Sequence, residues 1–366
     1  MPDPDWVLSG ALTRPRRGNP LHSFHVDHQI LTLVAGMDEF KGRWPGIARA
    51  IPEEHLAALG VRATVESVGS STRMEGSRMT DAEVDRFLFG PDPRHPSTQD
   101  ERSVAGYAEA LEMIYDAVGG GGLDTEFIRK LHGIVTWYSD TAGAERHAYR
   151  KEPLRVRTFD AGGRAAGTLF EAAPPARLNA FMEDLVHWAS GALESGEYHP
   201  MLVTAATNVH FRVIHPYSAG SGRLARLLAT WMLMRSGYTY MPYSSLERVL
   251  EERRGEQNRM LERAARILEG DTSGVRDWIV FFLTSLAAQR DQLLRLLDGH
   301  HRRARVPELS LRLLDAAREG GRLTMSAAVE KTGANRNTIK VHLRQLVARG
   351  RLVRHGAGRG TWYTLA

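Results

Sequence analysis

Apolar positions recur along most of this chain at three- and four-residue spacing, the pattern of helices with one buried face. Val104 to Val118 keeps Ala108, Leu111, Met113, Ile114 and Val118 apolar, and Gly119 to Gly122 ends it. Phe127, Ile128, Leu131, Ile134 and Val135 define the next helix. Arg177 to Ser190, Met201 to Ile214, Leu246 to Leu268 and Asp277 to Leu297 read the same way. Nearer the start, Ile30 to Val34 predicts a helical surface, and Ala63 to Gly76 a helix ending in a polar turn with Gly76 as its cap. Thr80-Asp81-Ala82-Glu83 pairs a cap residue with an acid three positions on, a helix start. Gly90 to Pro96 is a breaker stretch. One segment departs from the helical period: Leu154 to Phe159 and Ala166 to Phe170 alternate around Gly162-Gly163, which predicts a β-hairpin closed by Pro174-Pro175. Two strands build no core of their own. The expected fold class is therefore mainly α, a helical bundle carrying one hairpin.

The last stretch follows a different plan. Leu309 to Arg318 predicts a helix, Leu323-Thr324 an extended step, and Ser326 to Thr332 a short helix capped by Ser326. Gly333-Ala334 turns the chain into Asn335 to Leu346, a helix with Ile339, Leu343 and Leu346 on its core face. Leu352 to His355 and Thr361 to Leu365 flank the glycine-rich Gly356 to Gly360 as a hairpin. His300 to Pro307 is basic and turn-forming, a linker. The expected organisation is an N-terminal helical region over 1–100, a core over 101–299 and a small α+β domain over 300–366.

Charge sharpens that division. The chain of 366 residues carries +5 overall, yet residues 300–366 hold 14 Lys/Arg against 4 Asp/Glu, a net of +10. The preceding residues are therefore at −5, so the tail is the part suited to a polyanion. There are no cysteines, which removes disulfides, thiolate metal sites and cysteine nucleophiles. No apolar run approaches a membrane span, and Met1 to Asp5 has no basic stretch leading into an apolar one, so no membrane and a cytoplasmic location are expected. His22, His25 and His28 suggest a metal cluster, but the third drifts off the face shared by the first two, and a plain helical surface is preferred.

The chemistry concentrates in His215-Pro216-Tyr217-Ser218-Ala219-Gly220-Ser221-Gly222-Arg223-Leu224-Ala225-Arg226. A His-Pro pair stops the preceding helix, because proline disfavours the α conformation in the residue before it. Two glycines let the backbone turn tightly and approach a ligand. A glycine-rich turn opening a helix offers free N–H groups at the positive end of its dipole, an anion site, and Arg223 adds a planar, permanently charged fork suited to phosphate. Read plainly, the same residues are a loop between two core helices.

This stretch resembles the signature of Fic-domain proteins, His-x-Phe-x-(Asp/Glu)-Gly-Asn-Gly-Arg-x-x-Arg. His215, Gly220, Gly222, Arg223 and Arg226 match in register, with Tyr217 for Phe, and the resemblance extends from about residue 20 to 290. It implies a catalytic His215 acting as general base on a protein Ser, Thr or Tyr hydroxyl (the target being another protein or the chain itself), with AMP transferred from ATP, or another nucleotide or phosphate-containing group transferred from another donor. Gly220, Ser221, Gly222, Arg223 and Arg226 would hold the phosphates. Ser71-x-x-x-Glu75-Gly76 resembles the family's inhibitory motif, in which the Glu pairs with the second signature Arg, here Arg226, and keeps it off the nucleotide. The hairpin resembles the flap that pins a target segment by strand addition, here through Leu154, Arg155, Val156 and Arg157. Three departures stand out. Ala219 replaces the acid that holds Mg²⁺, leaving that metal doubtful and no metal ligand to name; Ser221 replaces Asn; and Arg253 to Arg259 replace base-stacking tyrosines, leaving Asn258 and Arg259 to touch the ligand.

The tail resembles winged helix-turn-helix domains of bacterial regulators. That implies double-stranded DNA as a partner, contacted through Asn335, Arg336, Asn337, Thr338, Lys340 and Arg344 in the major groove and Arg359 at the wing. Two readings stay open: a self-inhibited Fic-type transferase with a DNA-binding tail, or a DNA-binding regulator whose body is a degenerate Fic domain used for ligand or protein binding. A homodimer is compatible with both.

Overall fold

The structure, a computed structural model, describes residues 19–21, 24–90, 95–117, 120–139, 147–159, 165–304, 308–348, 350–356 and 361–366. The chain divides into two compact units, Met1–Leu293 and Leu294–Ala366.

Two helices form the centre of the first unit. Helix α7 (Pro200–Ile214) is buried at every position except Pro200 and Arg212, and α8 (Ser221–Arg235) at every position except Arg235. Burial on all sides marks helices surrounded by others. Their mutual packing is fixed by Asn208 Nδ2, which donates to the Ala225 carbonyl at 2.8 Å. Around them in chain order stand α1 (His28–Ala50), α2 (Glu53–Arg73), α3 (Asp81–Phe89), α4 (Gln99–Asp116), α5 (Thr125–Val135) and α6 (Leu178–Ser195). After the central pair come α9 (Leu246–Glu252), α10 (Arg254–Ala264) and α11 (Ser273–Ala304). One continuous core includes Val104, Leu111 and Ile114 of α4, Leu131 and Val135 of α5, Met182 and Leu185 of α6, and Leu224 and Leu228 of α8. The mainly α expectation holds.

The hairpin also holds: β1 (Arg155–Phe159) and β2 (Ala165–Glu171) pair antiparallel, Arg155 opposite Glu171, with irregularities after Val156 and Thr158. Helix α3 starts at Thr80 through a full capping box with Glu83. Several expected boundaries move. Helix α4 starts at Gln99 rather than Val104, because Thr98 and Glu101 form a second capping box. Helix α6 runs to Ser195, where Gly196 at φ 65° ends it. The single helix expected over 246–268 is broken at Arg253, whose guanidinium turns to the Thr284 and Ser285 hydroxyls at 3.0 and 2.8 Å on α11. Residues 300–304, expected in a linker, continue α11. Gly76, read as a cap, lies two residues beyond the C-cap Met74.

The second unit runs α12 (Glu308–Gly320), β3 (Leu323–Thr324), α13 (Met325–Thr332), α14 (Arg336–Ala348), β4 (Leu352–His355) and β5 (Trp362–Leu365), with sheet order β3-β5-β4. Its core joins Leu313, Leu323, Ala328, Ile339, Leu343, Leu346, Leu352 and Tyr363. The cap of α13 is Thr324, whose hydroxyl accepts from Ala327 N at 3.3 Å, not Ser326.

A buried histidine gives the first unit a pH dependence. His210 of α7 is 8% exposed and its Nδ1 has no hydrogen-bond partner among the described residues. Burial pushes its pKa down to about 4. Between pH ~6.5, where an unfolded histidine titrates, and pH 4, the unfolded chain takes up a proton that the folded one refuses, so stability falls as pH falls. His210 should cost about 2 kcal/mol at pH 5, since each tenfold difference in proton affinity between the two states is worth ~1.4 kcal/mol. Chemical unfolding of wild type and His210→Gln at pH 7 and 5 checks this; the variant should lose correspondingly less.

Candidate active site at the α7–α8 turn

Helix α7 ends at His215, whose φ of 49° and ψ of 63° put it in the left-handed region. No other non-glycine residue among those described has positive φ. Such a backbone costs ~1–3 kcal/mol and persists only where its surroundings hold it. His215 N donates to the Phe211 carbonyl at 2.9 Å. The rest of the restraint comes from Arg150, which is 5% exposed. Its Nε donates to the His215 carbonyl at 2.9 Å, its backbone N to the Pro216 carbonyl at 2.9 Å, and its Nη1 to the Glu152 carbonyl at 2.8 Å. Its Nη2 reaches the Ile214 carbonyl at 3.4 Å and the Ala173 carbonyl. One side chain thus ties the turn to the base of the hairpin.

The far side of the turn is equally fixed. Tyr217 stacks on His132 with centroids 3.6 Å apart and planes within 8°. His132 Nε2 lies 3.0 Å from the Ala219 carbonyl, and a carbonyl only accepts, so that nitrogen carries the proton. Ser221 is fully buried; its hydroxyl accepts from Tyr217 N at 3.1 Å and donates to Tyr217 O at 3.2 Å. The Ser221 side chain therefore closes the loop on itself.

Gly220 caps α8 at φ 81°, and the helix N-terminus behind it exposes unpaired N–H groups. A carboxylate already sits there. A Cβ on Gly222 would lie 2.1 Å from Glu75 Oε1, so only glycine admits the side chain at this place. Glu75 Oε1 accepts from Arg226 Nη2 at 3.0 Å. Arg226, 1% exposed, also donates from Nε to the Ser71 hydroxyl at 2.8 Å and from Nη2 to the Ser71 carbonyl at 3.0 Å. Burial works against ionisation of Glu75, but Arg226, Arg223 and His215 outweigh it and hold its carboxyl below the usual range. The end of α2 that delivers Ser71 and Glu75 is anchored in turn: Arg73 grips both carboxylate oxygens of Glu251 on α9 at 2.8 and 2.9 Å, and pairs with Asp81 at 2.9 Å.

A cavity of about 890 Å³ opens beside this arrangement. His215, Ala219, Gly220, Gly222 and Arg226 form its floor, Leu154, Arg155, Val156 and Arg157 of the hairpin one wall, and Arg254, Gln257, Asn258 and Leu261 of α10 another. None of its described lining residues is Phe, Tyr or Trp. Burial pushes His215 down to about 4, against the pull of Glu75, and the ring hydrogen-bonds the Arg212 backbone. The imidazole is thus neutral at pH 7, and the nitrogen opposite that hydrogen bond keeps its lone pair. Arg223 is buried, its Nε lacks a hydrogen-bond partner among the described residues, and burial pulls its pKa down despite Glu75.

Ser71, Glu75, His215, Gly220, Gly222, Arg223 and Arg226 are thus brought together, with the hairpin residues across the cavity. Gly76 follows Glu75 in the turn. Asn258 lines the cavity and Arg259 is not among its lining residues. Sequence reasoning gave no role to Arg150, His132, Arg212 or Arg254; Arg150, His132 and Arg254 reach carbonyls 65, 87 and 180 residues away. In the second unit Asn335, Arg336, Asn337, Thr338, Lys340 and Arg344 are exposed on and before α14. Asn335 Oδ1 accepts from Asn337 N at 2.8 Å, so that oxygen caps the helix. Arg359 and His22 lie outside the described residues.

The close approach at Gly222 gives a test. Gly222→Ala should expel Glu75 from the helix end and release Arg226, whereas in a Glu75→Gly background the same methyl makes an ordinary contact with Arg226 Nη1 at 3.5 Å. Unfolding free energies of the four proteins should show a coupling of about 1 kcal/mol or more; additive effects would separate the two residues.

Comparison with known proteins agrees with this geometry. Residues 122–233 match the sequence profile of the Fic/DOC family. A Fic family protein from Desulfovibrio desulfuricans G20 superposes over 94% of this chain and 97% of its own, with 20% identity and a TM-score of 0.63. A Fic domain containing signaling protein from Bacteroides thetaiotaomicron VPI-5482 does so over 71% of this chain and 95% of its own, at 22% identity and TM-score 0.57. Fic-1 (residues 134–508) from C. elegans covers 75% of this chain and 73% of its own, at 17% identity and TM-score 0.52. No helix among the described residues is long and apolar enough to cross a membrane. The profile match across the central segment, and a fold shared with Fic proteins over most of the chain, mean that this chain carries a Fic-type domain.

Proposed function

We propose that the first unit transfers a nucleotidyl group, AMP in the first instance, from a nucleoside triphosphate to a protein Ser, Thr or Tyr hydroxyl, and that Glu75 restrains it. One observation carries the reading: a carboxylate, held by Arg226, occupies the helix N-terminus where a phosphate would bind. In the reaction the target hydroxyl oxygen attacks the α-phosphorus, the bond to the leaving pyrophosphate breaks, and the hydroxyl proton passes to the free nitrogen of His215. The α8 N–H groups, Arg223 and Arg226 offset charge growing on the phosphate oxygens. Strand β1 pairs only with β2 among the described residues, so its other edge is open to a target segment.

For the second unit we propose a winged helix-turn-helix that binds double-stranded DNA. The exposed polar face of α14 and the net charge of +10 over residues 300–366 support it. Deleting those residues should abolish DNA binding; undiminished, salt-sensitive binding by the truncated protein would contradict it.

A second reading has its own support. Alanine at 219 and a cavity with no Phe, Tyr or Trp among its described lining residues favour a DNA-binding regulator whose body senses an anionic ligand or binds a protein without transfer. Incubation of wild type, Glu75→Gly and His215→Ala with α-labelled nucleotides, with and without divalent cations, separates the two. Label that rises in Glu75→Gly and vanishes in His215→Ala supports the transferase. No label in any of them, at saturating nucleotide, supports the regulator.

A further inference from the structure

Polyphosphate in a cleft needs positive charge, from a divalent cation or from guanidinium groups. Mg²⁺, the family's metal, takes hard oxygen ligands in near-octahedral array, usually including a carboxylate. The residues here do not fit it. Position 219 offers a methyl group, and the backbone oxygen at that position already accepts from His132. Two carboxylates line the cavity: Glu75 is held by Arg226, and Glu171, on β2, by Arg155 at 3.1 Å. No group of three or more acidic or histidine side chains suited to a metal occurs among the described residues.

The guanidinium side is over-supplied. Arg212 is the one charged residue of α7, and it lines the cavity with His215. It has no carboxylate within ion-pair distance among the described residues; its guanidinium lies 5.7 Å from the Trp278 ring centroid. Arg254 opens α10 on the opposite wall, and its Nη2 donates to the Met74 carbonyl at 3.0 Å, one residue from Glu75. Burial and the neighbouring Arg226 press the Arg212 pKa down to about 10, against the pull of Glu75. Arg226 lines the same cavity and the Arg223 guanidinium lies beside Gly220, which brings four guanidinium groups to the site, where Glu75 is bound to Arg226.

We infer that this cavity binds the polyphosphate chain of its donor as a free anion, with Arg212 and Arg254 supplying the positive charge that a divalent cation supplies elsewhere. The inference rests on the nucleotide reading above. Four guanidinium groups balance the charge of an uncomplexed triphosphate, and bound Mg²⁺ would cancel two of the charges they attract.

Calorimetry of ATP binding to full-length Glu75→Gly, once in EDTA and once in excess Mg²⁺, tests it. Affinity in EDTA should equal or exceed that in Mg²⁺. In EDTA, Arg212→Gln and, separately, Arg254→Gln in the same background should each weaken binding about tenfold or more, as expected for loss of a charge-assisted contact. Ala219→Asp should introduce a Mg²⁺ requirement where none existed. Binding that appears only with Mg²⁺ overturns the inference and leaves the nucleotide reading standing. No ATP binding in either buffer overturns both. Unchanged affinity in both arginine variants overturns the assignment of their role.

Discussion

Glu75→Gly should destabilise the ligand-free protein and at the same time make it responsive to phosphate. The carboxylate sits at the N-terminus of α8 and pairs with Arg226, which is 1% exposed. Its removal leaves Arg226, Arg223 and Arg212 without the acid that offsets them. Truncating one partner of a fully buried pair costs ~3–5 kcal/mol. The Glu75 side chain is 32% exposed and Arg226 keeps its two bonds to Ser71, so the expected cost is lower, about 1–3 kcal/mol. Pyrophosphate should then restore what Glu75 supplied: a ligand at a hundred times its Kd adds ~2.7 kcal/mol. Wild type, whose helix end is already filled, should respond far less. Thermal unfolding of both proteins with and without pyrophosphate measures the difference. Equal shifts would mean that Glu75 does not occupy the phosphate position.

Arg150→Met should be the most damaging single change at the turn. The side chain satisfies carbonyls of Glu152, Ala173, Ile214 and His215 together, and no water-facing substitute can span them. Each buried acceptor left unsatisfied costs ~1–3 kcal/mol, and partial relaxation brings the expected total to about 3–5 kcal/mol. The left-handed His215 also loses the contact that holds it, so in a Glu75→Gly background pyrophosphate should no longer stabilise even the folded fraction. Arg150→Lys keeps the charge and one or two of the bonds and should lose clearly less. Denaturant unfolding of both variants checks this. A loss below about 1 kcal/mol for Arg150→Met would show that the turn is held by other means.

The roles that are legible in the sequence and those that are not differ in the distance over which the causes act. The His-Pro stop, the glycines of the turn, the hairpin and the helix periods are local, and residues within a few positions of each other dictate them. The second capping box, Thr98 with Glu101, is equally local, but the apolar run that begins at Val104 is the stronger signal and masks it. The Glu75–Arg226 pair spans 151 residues and is visible only through resemblance to a known signature. Arg150 acts on a carbonyl 65 residues away and Arg73 grips Glu251 across 178, with no local mark to announce either. The break between α9 and α10 is hidden for the same reason: Arg253 is drawn off by hydroxyls of α11, which its own neighbours do not foretell. Arg212 carries a usable signal, being the lone charge in a run of apolar residues one turn before His215. A cation placed inside a buried helix, next to a candidate base, has to face something polar.

The claim that joins these parts is that Glu75 stands where a nucleotide phosphate binds. Equilibrium dialysis of α-labelled ATP against wild-type and Glu75→Gly protein addresses it without depending on catalysis. If the carboxylate must leave before the phosphate enters, apparent affinity in wild type is reduced by the small fraction of molecules in which it has left. The Glu75→Gly protein should therefore bind ATP about 10–100-fold more tightly, the span expected for breaking one charge-assisted contact. Equal affinity in the two proteins would contradict the account at its centre.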